Sequence, residues 1–192
     1  MSLEIPTAVQ EDSVQRERSE FLLSGMEQLK KRKTTRLQGA DYNSDGLYFI
    51  TICTENRQCI LSRIVGTGVL DGPQVELTKY GEIADKYINQ LNDFYDDINV
   101  DNYVIMPNHI HIILFVKGNG PSRTPVPTMQ NTVVARFLST FKRFCNKEYG
   151  ENIWQYRSND HIIRNKQDYE EHIKYICENP MNWHLDELYP KE

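Results

Sequence analysis

The sequence predicts an α+β fold with a βαββαβ core, in which helices pack on one side of an antiparallel sheet. Two kinds of segment support this prediction. Short apolar runs rich in β-branched and aromatic residues, such as residues 47–54 and 110–116, are typical of buried strands. Longer segments with apolar residues at helical spacing, such as residues 78–95 and 128–149, are typical of amphipathic helices. Their order is strand, helix, strand, strand, helix, strand, helix, which is a ferredoxin-like core followed by one further helix.

Turn signals and apolar spacing place each element. A turn at Asn43–Gly46 precedes the first strand, and two short runs joined through a Gly-rich loop predict a small hairpin. Three prolines in residues 121–127 exclude a helix there and predict an extended linker. The last helix is expected to stop at Asn179-Pro180. The predicted strands are Leu47–Thr54, Ile60–Val65, Gln74–Leu77, Asn99–Met106, His109–Val116 and Ser158–Arg164, and the predicted helices begin at Thr78, Thr128 and Lys166.

Length and composition limit the class of protein. At 192 residues the chain is long enough for one domain with a sizeable core and short for two. We expect residues 1–33 to form a flexible N-terminal arm and residues 34–192 to fold as a single domain. No apolar run approaches a membrane span and the N-terminus lacks a signal-peptide core, so we predict a cytoplasmic protein without a membrane partner. Four cysteines without a CxxC pair predict buried free thiols instead of a zinc ribbon or a disulfide framework.

Two histidines begin the strand at residues 109–116. His109 and His111 are separated by one residue, and side chains alternate between the faces of a strand, so both imidazoles project from the same face. Neutral imidazole is the commonest protein ligand for a divalent metal. The pair is therefore a candidate metal site, although two polar residues on a solvent-facing strand would show the same pattern.

The final helix carries further candidate residues on one face. His172, Tyr175 and Asn179 are spaced three and four residues apart, while Ile173 and Ile176 supply apolar packing. Tyr175 could act as a nucleophile, and the Asn179 amide oxygen could be a third metal ligand. A core aromatic residue and an Asn that closes the helix explain the same pattern, and the helix alone favours that second explanation.

Other histidines and tryptophans are weaker candidates. His172 could contact the metal or the substrate, but a hydrogen-bonded histidine between elements is the more common case, and neither His161 nor His184 is assigned a role. Trp154 and Trp183 could stack on unpaired bases, yet packing is the more common use of tryptophan.

Several motifs together resemble a known family. They are Met106-Pro-Asn-His-Ile-His111, Ile162-Ile-Arg-Asn165 and Tyr175-Ile-Cys-Glu-Asn-Pro180, preceded by Arg36–Tyr42 and Tyr48–Thr54. In order and spacing, from about residue 33 to 182, they resemble the single-tyrosine HUH transposases, and within these the REP-associated tyrosine transposases, which are named after repetitive extragenic palindromes. A long acidic N-terminal arm and a net charge of −5 depart from that pattern.

The resemblance implies a reaction and a set of site residues. His109 and His111 match the family's metal-binding histidines, Asn179 falls where the family places a polar third ligand, and Tyr175 matches the nucleophile. It implies metal-dependent cleavage and strand transfer of single-stranded DNA through a 5′-phosphotyrosine. Two nitrogens and one amide oxygen suit Mg²⁺ or Mn²⁺ under cellular conditions.

DNA contacts are expected from basic residues outside this site. Arg36 and, on the second long helix, Arg136, Lys142 and Arg143 are candidates to hold phosphates of single-stranded or hairpin DNA. A solvated helix face is an equally good explanation for any one of them. A replication-initiator-like nickase and a non-catalytic or domesticated nucleic-acid hairpin-binding module on the same fold are alternative functions, and a homodimer is possible because the family includes dimers and monomers.

Overall fold

The structure, a computed structural model, describes residues 45–66, 72–117 and 132–190. The predicted N-terminal arm, Arg36 and the predicted proline-rich linker lie outside these ranges. The six strands of the described residues are β1 (Gly46–Cys53), β2 (Ser62–Val65), β3 (Gln74–Leu77), β4 (Ile98–Ile105), β5 (His109–Val116) and β6 (Asn159–Ile163). The helices are α1 (Lys79–Phe94), α2 (Val133–Tyr149) and α3 (Lys166–Glu178), with short 3₁₀ turns at Glu55–Arg57 and Trp183–Leu185.

Four strands form one antiparallel sheet in the order β4-β5-β1-β6, and β2 pairs with β3 in a separate hairpin. This is the sheet of a βαββαβ core, so the predicted α+β fold is confirmed. The β1–β5 register sets Cys53 opposite His109 and Thr51 opposite His111.

The sheet separates two apolar layers. Even-numbered residues of β5, such as Ile110 and Ile112, are fully buried in the larger layer with α1 and α2. Ile113, on the other face, packs with Ile163 and with Ile176 of α3. The first two helices therefore cover one side of the sheet, as predicted, and α3 covers the other.

Local chemistry explains where α1 and α3 begin. The Thr78 hydroxyl accepts hydrogen bonds from the amides of residues 80 and 81, and the Asn165 side chain accepts one from the Asp168 amide. Gly81 allows α1 to approach β2, because a Cβ there would lie 2.1 Å from the Leu61 carbonyl oxygen.

The predicted boundaries of the elements hold closely, with α3 spanning the predicted residues. In the described residues α2 begins at Val133, with Thr132 as its N-cap. The predicted start at Thr128 lies outside the described residues. The prediction of buried thiols was half wrong: Cys53 and Cys145 are buried, whereas Cys59 and Cys177 are exposed. Among the described residues, none of the helices has the length and apolar character needed to cross a bilayer.

Candidate active site

The histidine pair lies at the start of β5, on the sheet face that α3 covers. The two ring centroids are 4.4 Å apart with planes inclined by 67°. The side-by-side placement expected from alternation is therefore present. Both side chains are buried, with His109 0% and His111 3% exposed, so they are not polar residues on a solvent-facing strand. Residues after α3 cover them, with the Trp183 ring 5.7 Å from that of His109.

Hydrogen bonds behind His109 orient its ring. Asn108 donates through Nδ2 to the carbonyl oxygens of Leu188 (2.7 Å) and Arg57 (3.4 Å), so its Oδ1 is an acceptor. His109 Nδ1 lies 2.8 Å from this oxygen and must carry the proton. The lone pair of His109 is therefore on Nε2, which is the atom left to bind a metal.

His111 is held by β1. Its Nδ1 lies 2.9 Å from Oγ1 of Thr51, the residue directly opposite in the sheet. The Phe49 ring stacks against the imidazole at a centroid distance of 5.1 Å and an angle of 21°. These contacts fix the ring plane and again leave Nε2 for a ligand.

Asp186 joins the nucleophile candidate to the third ligand candidate. The Tyr175 hydroxyl donates to Asp186 Oδ2 at 3.1 Å, and Asn179 Nδ2 donates to the same oxygen at 2.9 Å. This bond uses the NH₂ group of the Asn179 side-chain amide. The Oδ1 atom of the same amide remains as an acceptor. Asp186 can also offer a carboxylate oxygen that lies within 4.8 Å of a ring nitrogen of both His109 and His111.

Three buried atoms of this cluster lack a hydrogen-bond partner among the described residues. They are His109 Nε2, His111 Nε2 and Asn179 Oδ1, one atom from each of the three predicted ligand residues. Unpaired buried polar groups are rare in proteins, because each costs about 1–3 kcal/mol. Two imidazole nitrogens and an amide oxygen, with the Asp186 carboxylate beside them, fit a divalent cation.

The electrostatics of the pair favour neutral ligands. Burial, with smaller contributions from neighbouring charges, lowers the pKa of His109 to about 4 and that of His111 to about 3. Both rings are therefore neutral at pH 7 and able to coordinate. Burial and the Asp186 carboxylate raise the pKa of Tyr175 to about 12, so the phenol stays protonated without a compensating positive charge.

Tyr175 stands between this cluster and the surface. Its ring lies 5.0 Å from that of His111, and 44% of the residue is exposed. A cleft of about 420 Å³ adjoins it, lined among others by Phe49, Asn159 and the acidic residues Glu171 and Glu187. Tyr175 and His111 both line this cleft, so the phenol and one ring of the histidine pair face the same cavity.

The predicted DNA-contacting residues do not share this face. Arg136, Lys142 and Arg143 lie on α2, across the sheet from the histidine pair. Arg136 pairs with Asp97, and Lys142 donates to the carbonyl oxygen of Gln155 at 2.6 Å. The Arg143 guanidinium lies 5.1 Å from the centre of the Phe144 ring. Their contact with phosphates stays a prediction, as does that of Arg36.

Sequence reasoning missed three supporting residues. Asn108 lies within the Met106–His111 motif and Thr51 within a predicted strand, and neither is a predicted site residue, although antiparallel pairing of the two strands would have indicated that Thr51 lies opposite His111. Asp186 follows Pro180 in a segment without helical or strand spacing, so no sequence signal placed it at the site. Trp154, 1% exposed, is a core residue, as the more common use of tryptophan predicts.

The sequence of this chain is similar to those of several known proteins. No family model matches it. An uncharacterised protein of Haemophilus influenzae is 33% identical over 173 residues, which cover 82% of this chain and 93% of that protein. A REP-associated tyrosine transposase of Escherichia coli is 27% identical over 140 residues, covering 73% of this chain and 69% of that protein.

A solved structure shares the fold. It is a REP-associated tyrosine transposase bound to a REP hairpin, and it matches with a TM-score of 0.54 and 21% identity over 77% of this chain and 74% of the other. The sequence motifs, the sequence match to a named relative and the common fold agree. The chain therefore resembles the REP-associated tyrosine transposases in sequence and in fold.

Proposed function

We propose that this protein cleaves and rejoins single-stranded DNA through a covalent 5′-phosphotyrosine on Tyr175, in a reaction that depends on a divalent metal. The observation that supports this most is the trio of buried, unpartnered ligand atoms on His109, His111 and Asn179. Tyr175 shares a hydrogen-bond acceptor with the third of them. A nucleophile and a metal site side by side suit phosphodiester chemistry.

The reaction exchanges one phosphate ester for another. The Tyr175 oxygen forms a bond to phosphorus, the bond from phosphorus to the 3′ oxygen breaks, and that oxygen takes up a proton as a free 3′-hydroxyl. The phenolic proton leaves Tyr175 in the same process. Because the products are a phosphotyrosine ester and a hydroxyl, the reverse reaction joins strands without ATP.

The residues present determine how such a reaction would be assisted. His109, His111 and Asn179 would hold the ion, with the Asp186 carboxylate as a candidate fourth ligand. A bound Mg²⁺ or Mn²⁺ would supply positive charge to the scissile phosphate. Asn108 and Thr51 keep the imidazoles oriented, and Asp186 holds the Tyr175 hydroxyl beside the site.

Hairpin DNA is the substrate class that we infer. The transposase of the matching structure is bound to a REP hairpin, which supports a folded single strand as the partner here. The half-exposed phenol at the mouth of a cleft also suits an unpaired strand, which can present one phosphodiester more readily than a duplex can.

The experiment is a cleavage assay with labelled single-stranded hairpin DNA, run with Mn²⁺ and with EDTA. We expect cleavage by the wild-type protein with Mn²⁺, and none with EDTA or with the H109A/H111A variant. Circular dichroism checks that the double variant folds, and His184→Ala is the matched control, because His184 is exposed and lies outside the histidine pair. Cleavage by the folded double variant would refute the metal assignment. Hairpin binding without cleavage by the wild type would favour a non-catalytic binding module.

A further inference from the structure

A second cluster of possible metal ligands lies where β6 meets α3. His161 Nε2 is 3.0 Å from Asp168 Oδ2 and 3.1 Å from Oδ1, and His172 Nδ1 is 3.2 Å from Oδ1. One nitrogen or oxygen from each of the three residues lies within 4.8 Å of the others. The cluster joins two elements, because His161 is on the strand and the other two residues are four positions apart on the helix.

The geometry of the two rings brings their nitrogens to one carboxylate. The imidazoles stack with centroids 4.8 Å apart and planes inclined by 18°. Asp168 is held from behind, since its Oδ2 accepts a hydrogen bond from the Arg164 amide at 3.0 Å. The carboxylate therefore keeps its position independently of the two histidines.

This cluster borders the candidate active site, because His172 also lines the cleft beside Tyr175 and His111. Phe49 lies between them, with ring centroids 4.5 Å from His172 and 5.1 Å from His111. The His161 side chain is 45% exposed, whereas those of Asp168 and His172 are each 19% exposed. An ion from solvent can thus reach the second cluster without passing the buried pair.

We propose that His161, Asp168 and His172 form a zinc-binding site. Two imidazoles and one carboxylate are a donor set that Zn²⁺ uses in proteins, with a fourth position open to water. Ligands about 2.1 Å from a tetrahedral ion lie roughly 3.4 Å from one another, close to the contact distances in this cluster. An ordinary ion pair between a protonated histidine and Asp168 is the alternative that the experiment must exclude.

Zinc binding here would change the tautomer of His172 and connect two elements. His172 Nδ1 lies 2.7 Å from the Asp168 carbonyl oxygen, an acceptor, so this nitrogen carries a proton, and coordination through Nδ1 of the neutral ring would move that proton to Nε2. The ion would fasten α3, the helix that bears Tyr175, to the edge strand β6. The existence of the site does not depend on the function proposed above.

The test is calorimetric titration of the metal-free full-length protein with ZnCl₂. In the H109A/H111A background, which removes the first site, we expect one equivalent of Zn²⁺ to bind, and His161→Ala to abolish that binding. His184→Ala in the same background should retain the full equivalent. If the double variant does not fold, His161→Ala alone should lose one equivalent relative to the wild type. Unchanged zinc stoichiometry in His161→Ala, or an equal loss in His184→Ala, would overturn the proposal.

Discussion

At the scale of single residues, the candidate active site depends on hydrogen bonds to the far sides of its ligands. Asn108 accepts from His109 Nδ1, and Asp186 accepts from Asn179 Nδ2. These bonds leave His109 Nε2 and Asn179 Oδ1 with free lone pairs. Neither atom has a hydrogen-bond partner among the described residues. Supporting contacts of this kind usually change metal affinity 10- to 100-fold when they are removed.

Protonation of the histidine pair predicts how stability depends on pH. The folded-state pKa values of about 4 and 3 lie below the ordinary value of 6.5, so the unfolded chain takes up protons first as the pH falls. Stability of the metal-free protein should be full above pH about 6.5 and decrease below it, by roughly 2–3 kcal/mol per histidine at pH about 4.5. Urea denaturation across this range measures the loss, and parallel profiles for wild type and H109A/H111A would contradict it.

Asn179 should contribute directly to metal affinity. We expect Asn179→Ala to weaken Mn²⁺ binding at least about 10-fold, because it removes the proposed ligand oxygen and breaks the contact with Asp186. Calorimetry in a His161→Ala background avoids any contribution from the second cluster. Asn182→Ala is the matched control, since Asn182 is exposed and its side chain makes no cap hydrogen bond. Equal affinities for the two variants would remove Asn179 from the ligand set.

At the scale of elements, α3 holds the nucleophile candidate in place through a small apolar contact. Ile176 is 3% exposed and packs with Ile113 and Ile163 of the sheet. Ile176→Ala should lower the free energy of unfolding by about 2–4 kcal/mol, the usual cost of such a cavity. It should also reduce cleavage, since Tyr175 is the preceding residue on the helix.

Chemical denaturation and single-turnover cleavage measure these two effects. The control is Lys174→Ala, an exposed position on the same helix, which should change stability by no more than about 0.5 kcal/mol. If Ile176→Ala loses stability but cleaves at the wild-type rate under folding conditions, the position of α3 does not control the nucleophile.

The element scale also shows what sequence patterns can and cannot predict. Alternation along β5 predicted that His109 and His111 share a face, and helical spacing predicted that Tyr175 and Asn179 do, because both patterns depend only on backbone geometry. Burial of the pair could not be predicted, because it depends on how residues 183–188 fold back over β5. That segment is a short 3₁₀ turn followed by irregular backbone, and its side chains, Trp183 and Asp186 among them, reach the site through tertiary contacts alone.

At the scale of the whole molecule, the sheet divides the protein into a face with the candidate active site and a face with most of the predicted DNA-contacting residues. Binding energy for DNA need not come from the site itself, because phosphate contacts are sequence-independent and additive along a strand. A net charge of −5 makes a local basic surface necessary for such binding. Arg136, Lys142 and Arg143 on α2 are the predicted residues of such a surface among the described residues.

Charge reversal measures this contribution. K142E/R143E should weaken hairpin binding and reduce the slope of log K against log salt by about 1.4, or roughly 0.7 for each lost phosphate contact. The matched control is R63E/K79E, which changes the net charge equally at two exposed positions on β2 and α1. An identical salt slope for wild type and K142E/R143E would place the DNA away from α2.

The central claim is that Tyr175 is the nucleophile, and mapping the covalent adduct tests it most directly. Hairpin DNA incubated with the protein and Mn²⁺ should give a nucleotide-modified peptide that contains Tyr175 by mass spectrometry. Tyr175→Phe, which removes only the hydroxyl, should still bind hairpin DNA and form no adduct. Tyr169→Phe, on the same helix with its hydroxyl bonded to Asp101, should form the adduct normally. An adduct on Tyr175→Phe protein, or one mapped to another residue of the wild type, would contradict the account.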